Sequence, residues 1–229
     1  MKPKKIFKMV LKDGRKNLLE HEAYQVLNYY KIPTPKWKLV KSKEDAVDFS
    51  EKIGYPVVLK VVSKDIIHKS DVGGVFIDLL NKDAVAKAYD QIMKNVKEKA
   101  PDAKVEGVIV YEMVQKGKEV IVGGIKDDQF GQVIMFGSGG ILVEILEDVS
   151  FRVLPVQRED VEEMMGETKV LKVLKGYRGK PLDVESVVDI LMKVAGLLEK
   201  NEEIKELDLN PIMVLEKGAY PVDARIILE

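Results

Sequence analysis

The residues of this chain that could do chemistry are concentrated between Lys60 and Gly74, in the sequence KVVSKDIIHKSDVGG. Lys60 interrupts the apolar run of a predicted strand, and His68 and the pair Gly73-Gly74 lie in the polar loop that follows. Glycines allow a ligand to approach the backbone closely, and successive backbone amides can bind an anion. A lysine beside such a loop can contact phosphate as a point charge. The segment is therefore consistent with a phosphate site and, equally, with an ordinary hairpin that has a polar loop.

A second candidate begins with the predicted strand VIVYEMV at residues 108–114. A strand that ends in an acidic residue, here Glu112, and then continues through Met113 and Val114 can present main-chain groups to a flat heterocycle. Glu119 follows shortly afterwards. The competing interpretation is an amphipathic strand with a solvated glutamate.

A predicted hairpin near the end of the sequence carries oxygen ligands in the segments ELDLNP and PVDAR. Strand alternation puts Glu206, Asp208 and Asn210 on one face, and the hairpin brings Asp223 beside Asn210. Carboxylate and amide oxygens in a row suit Mg²⁺. Alternatively, these residues are the polar edges of an exposed hairpin.

The composition excludes several kinds of chemistry. The chain has 0 cysteines and 2 histidines, which rules out disulfides, thiolate catalysis, cysteine zinc sites and a His-rich metal site. Lys+Arg is 37 and Asp+Glu is 38, so no net basic field favours a nucleic-acid partner. No apolar run reaches the roughly 18 residues of a membrane span, and no signal peptide is recognisable. These features predict a cytoplasmic protein with no membrane partner, and the charge-rich composition is compatible with a thermophile.

The elements that must position these residues mix helices and strands without strict alternation, which predicts an α+β fold. The basic N-terminal residues Lys2, Lys4, Lys5 and Lys8 are predicted to form a solvated arm. Helical spacing and capping signals predict helices at 17–30, between Ser42 and Gly54, at 84–96, 158–165, 167–175 and 183–200. Strands are predicted at 37–40, 55–62, 75–80, 105–114, 119–125, 132–136, 204–214 and 220–228.

Taken together, these segments resemble an ATP-grasp nucleotide-binding unit. The stretch LLEHEAYQVLNYYKIPTP, the Lys60 strand, the glycine pair, the Glu112 strand and the DLNP and VDARI arms of the hairpin occur in the order found in that superfamily. The loop IIHKSDVGGV and the stretch FGSGGILVEILEDVSFRVLP are typical of one branch of it. The chain is similar to the β subunit of succinyl-CoA synthetase and, more closely, to the β subunit of ADP-forming acetyl-CoA synthetase, from about residue 18 to residue 228.

The resemblance implies two lobes with the nucleotide between them, a smaller lobe at 22–107 and a larger lobe made of 1–21 and 108–229. It implies an enzyme that interconverts acyl-CoA, ADP and phosphate with the free acid, CoA and ATP. His68 would be transiently phosphorylated, with ATP or ADP and Mg²⁺ bound nearby. Because no GxGxxG follows a predicted strand, the CoA and acyl sites are expected on a partner α subunit, in an α₂β₂ assembly.

The same resemblance implies roles for individual residues. Lys60, Gly73 and Gly74 would contact the nucleotide phosphates. Glu112, Met113 and Val114 would line the adenine site, with Glu119 near the ribose. Asn210 and Asp223 would hold Mg²⁺, with Asp208 as a helper.

Three further residues are candidates on their charge alone. Arg152 and Arg225 are possible phosphate contacts because of their charge, and Glu144 could orient the phosphorylated imidazole. A surface salt bridge is an equal alternative for each of them. Two other functions remain open: an ATP-grasp carboxylate–amine ligase, which needs no histidine, and a non-catalytic nucleotide-sensing subunit. An acid-labile phosphate on His68 would separate the first function from both.

Overall fold

The computed structural model describes residues 1–66, 68–139 and 148–229. The helices, in chain order, are α1 (Pro3–Lys12), α2 (Glu20–Tyr29), α3 (Lys43–Ile53), α4 (Lys82–Lys99), α5 (Arg158–Gly166), α6 (Val170–Leu174) and α7 (Val184–Glu199). The strands are β1 (Trp37–Val40), β2 (Val57–Ser63), β3 (Val75–Leu79), β4 (Val105–Glu112), β5 (Lys118–Asp127), β6 (Gly131–Ser138), β7 (Val149–Val153), β8 (Ile204–Val214), β9 (Ala219–Pro221) and β10 (Arg225–Leu228). The predicted mixture of helices and strands is confirmed.

The chain folds as two compact units, whose limits differ from the predicted lobes. The small unit is 35–114, and the large unit combines 1–34 with 115–229. Helix α2 therefore belongs to the large unit, although the sequence placed it in the smaller lobe. Its end is held there by the Asn201 side chain, whose Nδ2 donates to Tyr30 Oη at 2.7 Å.

The small unit is a 4-stranded antiparallel sheet in the order β1-β4-β2-β3, packed against α3 and α4. Local signals explain its helices. Ser42 Oγ accepts from the Asp45 amide at 3.1 Å and caps α3, which ends at Gly54 with φ +90°. Strand β2 is buried at every position except Lys60, so the core of this unit forms around that lysine's own strand.

The large unit contains a 6-stranded antiparallel sheet with the path β10-β8-β5-β6-β7, and β9 pairs with β8 beside it. The predicted C-terminal hairpin is confirmed, but its second arm is interrupted between β9 and β10. Helix α7 packs against β5, β6 and β8 and buries its apolar side there. Among the described residues, none of the helices combines the length and apolar character that crossing a membrane requires.

The N-terminal segment is not the solvated arm that its lysines predicted. Residues 3–12 form α1, which buries Pro3, Ile6, Phe7 and Val10. These apolar residues recur at helical spacing, so one face packs into the large unit while the lysines remain in solvent. Strand β7 was also not predicted, since its residues follow the apolar stretch without a clear turn signal.

Candidate functional site

Lys60 lies in the middle of β2, between Val75 of β3 and Ile109 of β4. Its Nζ atom is 5.0 Å from the centroid of the Tyr111 ring, a cation–π distance. Tyr111 is buried and belongs to the neighbouring strand β4. The lysine ammonium is therefore held at one place on the sheet, and the sequence had not indicated the aromatic ring that holds it.

His68 is exposed in the loop between β2 and β3. The loop is compact, because its own backbone closes it. The His68 carbonyl accepts from the Asp71 amide at 3.2 Å, the Ser70 carbonyl from the Gly73 amide at 2.9 Å, and the Lys69 carbonyl from the Gly74 amide at 2.8 Å. The imidazole is thus presented to solvent on a folded turn, an arrangement that suits a nucleophile serving an external ligand.

The glycine pair anchors this loop rather than leaving it free. Gly73 has φ +65°, a left-handed conformation, and a Cβ built there would lie 2.6 Å from Asn95 Nδ2. A Cβ on Gly74 would lie 2.4 Å from Val61 Cγ1. Both amides already donate inside the loop, so an anion could use them only after those hydrogen bonds open. The sequence signal for Asn95, a polar residue in α4, was too weak to identify this contact.

Residues 112–114 leave the small sheet at the end of β4. The Glu112 amide donates to the Lys36 carbonyl at 2.9 Å, and the Met113 amide donates to the Pro56 carbonyl at 3.1 Å. The Glu112 carboxylate is partly exposed and lies 3.9 Å from Lys36 Nζ. Recognition of a heterocycle by Glu112, Met113 and Val114 would therefore use other main-chain groups than these two amides.

The large unit carries the acidic candidates. Burial, together with the charges of Glu206 and Asp223, raises the pKa of Asp208 to about 6, while Arg225 partly opposes the shift. Asp208 Oδ1 is buried and has no hydrogen-bond partner among the described residues. Arg225 is exposed, and its Nη1 lies 4.0 Å from Glu206 Oε1. A buried, unpartnered carboxylate oxygen among like charges is a position that a cation would stabilise.

The strict alternation predicted for β8 stops at Leu209. Val122 of β5 pairs with Leu209, but Val120 pairs with Ile212, so the single residue Ile121 faces two residues of β8. Asn210 and Pro211 form this bulge, and it faces the interruption between β9 and β10 that contains Asp223. Glu206 and Asp208 share a face as predicted, whereas the position of Asn210 depends on the bulge.

The residues present fit a magnesium ion better than a transition metal. Among the described residues, no three His, Cys, Asp or Glu side chains are grouped so that they could hold a metal. Mg²⁺ keeps several waters and substrate oxygens and needs only one or two protein carboxylates. Asp208, with its unpartnered oxygen, and Asp223, whose charge acts on it, provide such oxygens. Asn210 adds a neutral amide oxygen on the same strand as Asp208.

Arg152 forms a salt bridge, which was the alternative to the phosphate contact predicted from the sequence. Its guanidinium makes two contacts with the Glu167 carboxylate, at 2.5 and 3.1 Å. Together with a hydrogen bond from the Ser150 hydroxyl, they lower the pKa of Glu167 to about 2. A phosphate contact would have to compete with this pair. Glu119 lies in β5, where its carbonyl accepts from the Gly139 amide at 3.1 Å. Glu144 lies outside the described residues.

Comparison with other proteins places these features in a family context. A family model described as an ATP-grasp domain matches residues 9–228. The β subunit of ADP-forming acetate–CoA ligase I from Pyrococcus furiosus is 51% identical over 212 residues, which cover 92% of this chain and 91% of that subunit. The ADP-forming acetate–CoA ligase I of Archaeoglobus fulgidus is 44% identical over 228 residues, which cover 99% of this chain but 33% of that longer protein.

Solved structures show a similarity to the same group of enzymes. The dinucleotide-forming acetyl-coenzyme A synthetase 1 of Ca. Korarchaeum cryptofilum, in complex with coenzyme A, Ca-AMPCP and HgCl⁺, has a TM-score of 0.94 and 47% identity, covering 99% of each chain. Another structure of that protein has its phosphorylated phosphohistidine segment in a "site I orientation" (TM-score 0.92, 44% identity, 99% of this chain and 100% of that one). A third, with Mg-AMPPCP, has the segment pointing towards the nucleotide-binding site (TM-score 0.89, 43% identity, 99% and 100%). The predicted resemblance, the ATP-grasp fold and the assignment to the ligases are confirmed by these similarities.

Proposed function

Because this chain belongs to the ATP-grasp domain family, we propose that it is the nucleotide-binding β subunit of an ADP-forming acyl-CoA synthetase, with acetyl-CoA as the reference substrate. The complete enzyme converts acyl-CoA, ADP and phosphate into the free acid, CoA and ATP. The observation that carries the proposal is the high identity to acetate–CoA ligase β subunits along nearly the whole chain, combined with an exposed histidine in the loop after the Lys60 strand.

This chain performs the last half of the reaction. One imidazole nitrogen of His68 carries the phosphoryl group, and a terminal oxygen of ADP attacks its phosphorus. The P–N bond breaks as the new P–O bond forms, and His68 regains a neutral imidazole. Lys60 binds the phosphates, and its fixed position over Tyr111 limits the reorganisation needed when charge shifts during transfer.

The remaining residues bind and orient the nucleotide. Glu112, Met113 and Val114 line the adenine site, and Glu119 contacts the ribose. Gly73 and Gly74 contact the nucleotide phosphates. Asn210 and Asp223 hold Mg²⁺ with help from Asp208. When bound there, Mg²⁺ would neutralise phosphate charge.

The acyl and CoA sites belong to a partner α subunit. The match covers 91% of the Pyrococcus β subunit but only 33% of the Archaeoglobus protein, so the Archaeoglobus relative has a large part that this chain does not match. We expect the two subunits to assemble as α₂β₂, and the phosphoryl group to reach His68 from the α subunit.

The test is intact-mass analysis of the chain after incubation with ATP and Mg²⁺. We expect one phosphoryl group, stable to base and labile to acid, on His68. His68→Asn should abolish labelling and turnover with the α subunit while leaving nucleotide binding in place. Ser70→Ala, a control in the same exposed loop, should be labelled normally.

The outcomes distinguish the competing functions. Labelling that persists in His68→Asn would overturn the proposal. Ligation of an amine that survives this substitution would favour the carboxylate–amine ligase. Nucleotide binding without any labelling or turnover, even with the α subunit present, would favour the sensing subunit.

A further inference from the structure

Helix α4 presents a row of polar side chains to the loop that carries His68. Gln91, Asn95 and Lys99 are spaced four residues apart, which places them on one face of the helix. Asn95 Nδ2 donates to the Gly73 carbonyl at 2.8 Å, and Lys99 Nζ donates to the Asp71 carbonyl at 3.3 Å. The two contacts hold the arm of the loop that follows His68.

The Asn95 contact is the stronger of the two. It is partly buried, whereas the Lys99 contact is exposed and longer. Gln91 Nε2 donates to Asn95 Oδ1 at 2.7 Å. This bond fixes which end of the Asn95 amide faces the loop, because an amide that accepts from Gln91 through Oδ1 must present Nδ2 to Gly73. Gln91 therefore acts on the loop through Asn95.

The shape of Gly73 is matched to the same asparagine. With φ +65° and no side chain, Gly73 brings its backbone so close that a Cβ would lie 2.6 Å from Asn95 Nδ2. Any displacement of Gly73 must therefore break the bond to Asn95 before the loop reaches a second position.

We propose that Gln91, Asn95 and Lys99, the α4 latch, are positioning residues that set the balance between two positions of the His68 loop. The inference rests on the proposed function, in which His68 must accept its phosphoryl group from the α subunit and deliver it to ADP. One neutral hydrogen bond shifts such a balance by roughly 2- to 10-fold, which is strong enough to bias the loop and weak enough to be broken in each turnover.

Two variants test the latch, one by changing Asn95 itself and the other by changing Gln91, which orients it. Asn95→Asp keeps the shape of the side chain but replaces the donor to Gly73 with a carboxylate oxygen. Gln91→Glu leaves Asn95 in place, but the new carboxylate attracts Nδ2, so Oδ1 turns to the Gly73 carbonyl and the bond is lost. Lys97→Gln, an exposed position of the same helix, and Asn28→Asp, which adds the same charge in the large unit, are the controls.

The first measurement is amide hydrogen exchange of the peptide containing Gly73 and Gly74. We expect exchange to become about 10-fold faster in Asn95→Asp and Gln91→Glu, and to stay at the wild-type rate in both controls. Unchanged exchange in the two latch variants would overturn the latch, whatever the enzyme does.

The second measurement is quench-flow on the complex with the α subunit. One half-reaction is phosphorylation of His68 from acetyl-CoA and inorganic phosphate, and the other is loss of that label to ADP. The ratio of the two rates should change by about 3-fold or more, in the same direction in both latch variants. A loss of stability alone would slow both rates together, so an unchanged ratio overturns the proposal. Absence of label in the wild-type complex would instead refute the proposed function.

Discussion

Asp208 offers a direct test of the electrostatics of the large unit, because one of its carboxyl oxygens is buried and like charges act on the group. Its pKa rises from 3.8 to about 6 on folding, chiefly because burial disfavours the ionised form. A pKa difference of about two units corresponds to a change of about 3 kcal/mol in the free energy of unfolding when the group is fully removed from water. The side chain is only partly buried, so we reduce the expected effect to about 1–2 kcal/mol.

The sign of the pH dependence follows from which state binds the proton more tightly. Between pH 3.8 and about 6 the folded carboxyl retains a proton that the unfolded carboxyl has lost. The contribution of this group to stability is therefore lost as pH rises through that window, and the ionised carboxylate destabilises the metal-free protein at neutral pH. Replacing Asp208 with asparagine removes the ionisation.

We expect Asp208→Asn to unfold at higher urea than the wild type at about pH 8 and at the same urea at about pH 4, in excess EDTA. Trp37 is the 1 tryptophan of the chain and lies in the small unit, so unfolding must be followed by far-UV circular dichroism instead of fluorescence. Asp128→Asn, which removes an exposed carboxylate, should behave like wild type at both pH values. Added Mg²⁺ should stabilise the wild type more than Asp208→Asn.

An equal gain for Asp208→Asn at both pH values would show that the effect is packing and not ionisation. No gain at about pH 8 would show that the carboxylate has a partner in solution, and the reasoning that makes Asp208 a cation ligand would fail.

Three other substitutions test the fold around the candidate sites. Phe7→Ala should lower the free energy of unfolding in urea by about 3–5 kcal/mol, because the ring is buried in the large unit. Lys8→Ala, at an exposed position of the same helix, should change it by less than about 0.5 kcal/mol. Equal effects of the two substitutions would mean that α1 does not pack against the large unit in solution. Gly74→Ala should cost about 1–3 kcal/mol through overpacking against Val61, and an unchanged unfolding midpoint would mean that the loop relaxes freely. Ser42→Ala should cost about 1 kcal/mol through loss of the α3 cap, read from the tryptophan fluorescence of the small unit, and no shift would mean that solvent replaces the cap.

Local signals made much of the small unit predictable. The cap at Ser42, the acidic residue three positions later and the closing Gly54 lie within one short segment, so the sequence alone specified α3. The β-branched run that became β2 is equally local. The prediction of a solvated N-terminal arm was wrong, because it gave the lysines more weight than the apolar residues at helical spacing. Those apolar residues decide which face of α1 is buried.

Contacts between distant parts of the chain explain the remaining differences. Helix α2 belongs to the large unit through contacts between distant parts of the chain, namely its packing against β10 and the bond between Asn201 and Tyr30. The bulge at Asn210 depends on how β8 pairs with β5, which a pattern within β8 cannot reveal. The sequence therefore allows candidate site residues to be chosen by type and spacing, but it does not reveal the hydrogen-bond partners of those residues.

The glycine pair shows why this distinction matters for mechanism. From the sequence, Gly73 and Gly74 predicted a close approach of a ligand to the backbone and a place for an anion. In the structure both are held, and the loop gains mobility only by breaking identifiable bonds to Asn95 and within its own backbone. A loop released by breaking a few bonds has two defined end states, whereas a freely flexible loop would spend most of its time in neither. If His68 has the proposed role and meets two reaction partners in each turnover, the first arrangement keeps the imidazole near one of two productive positions.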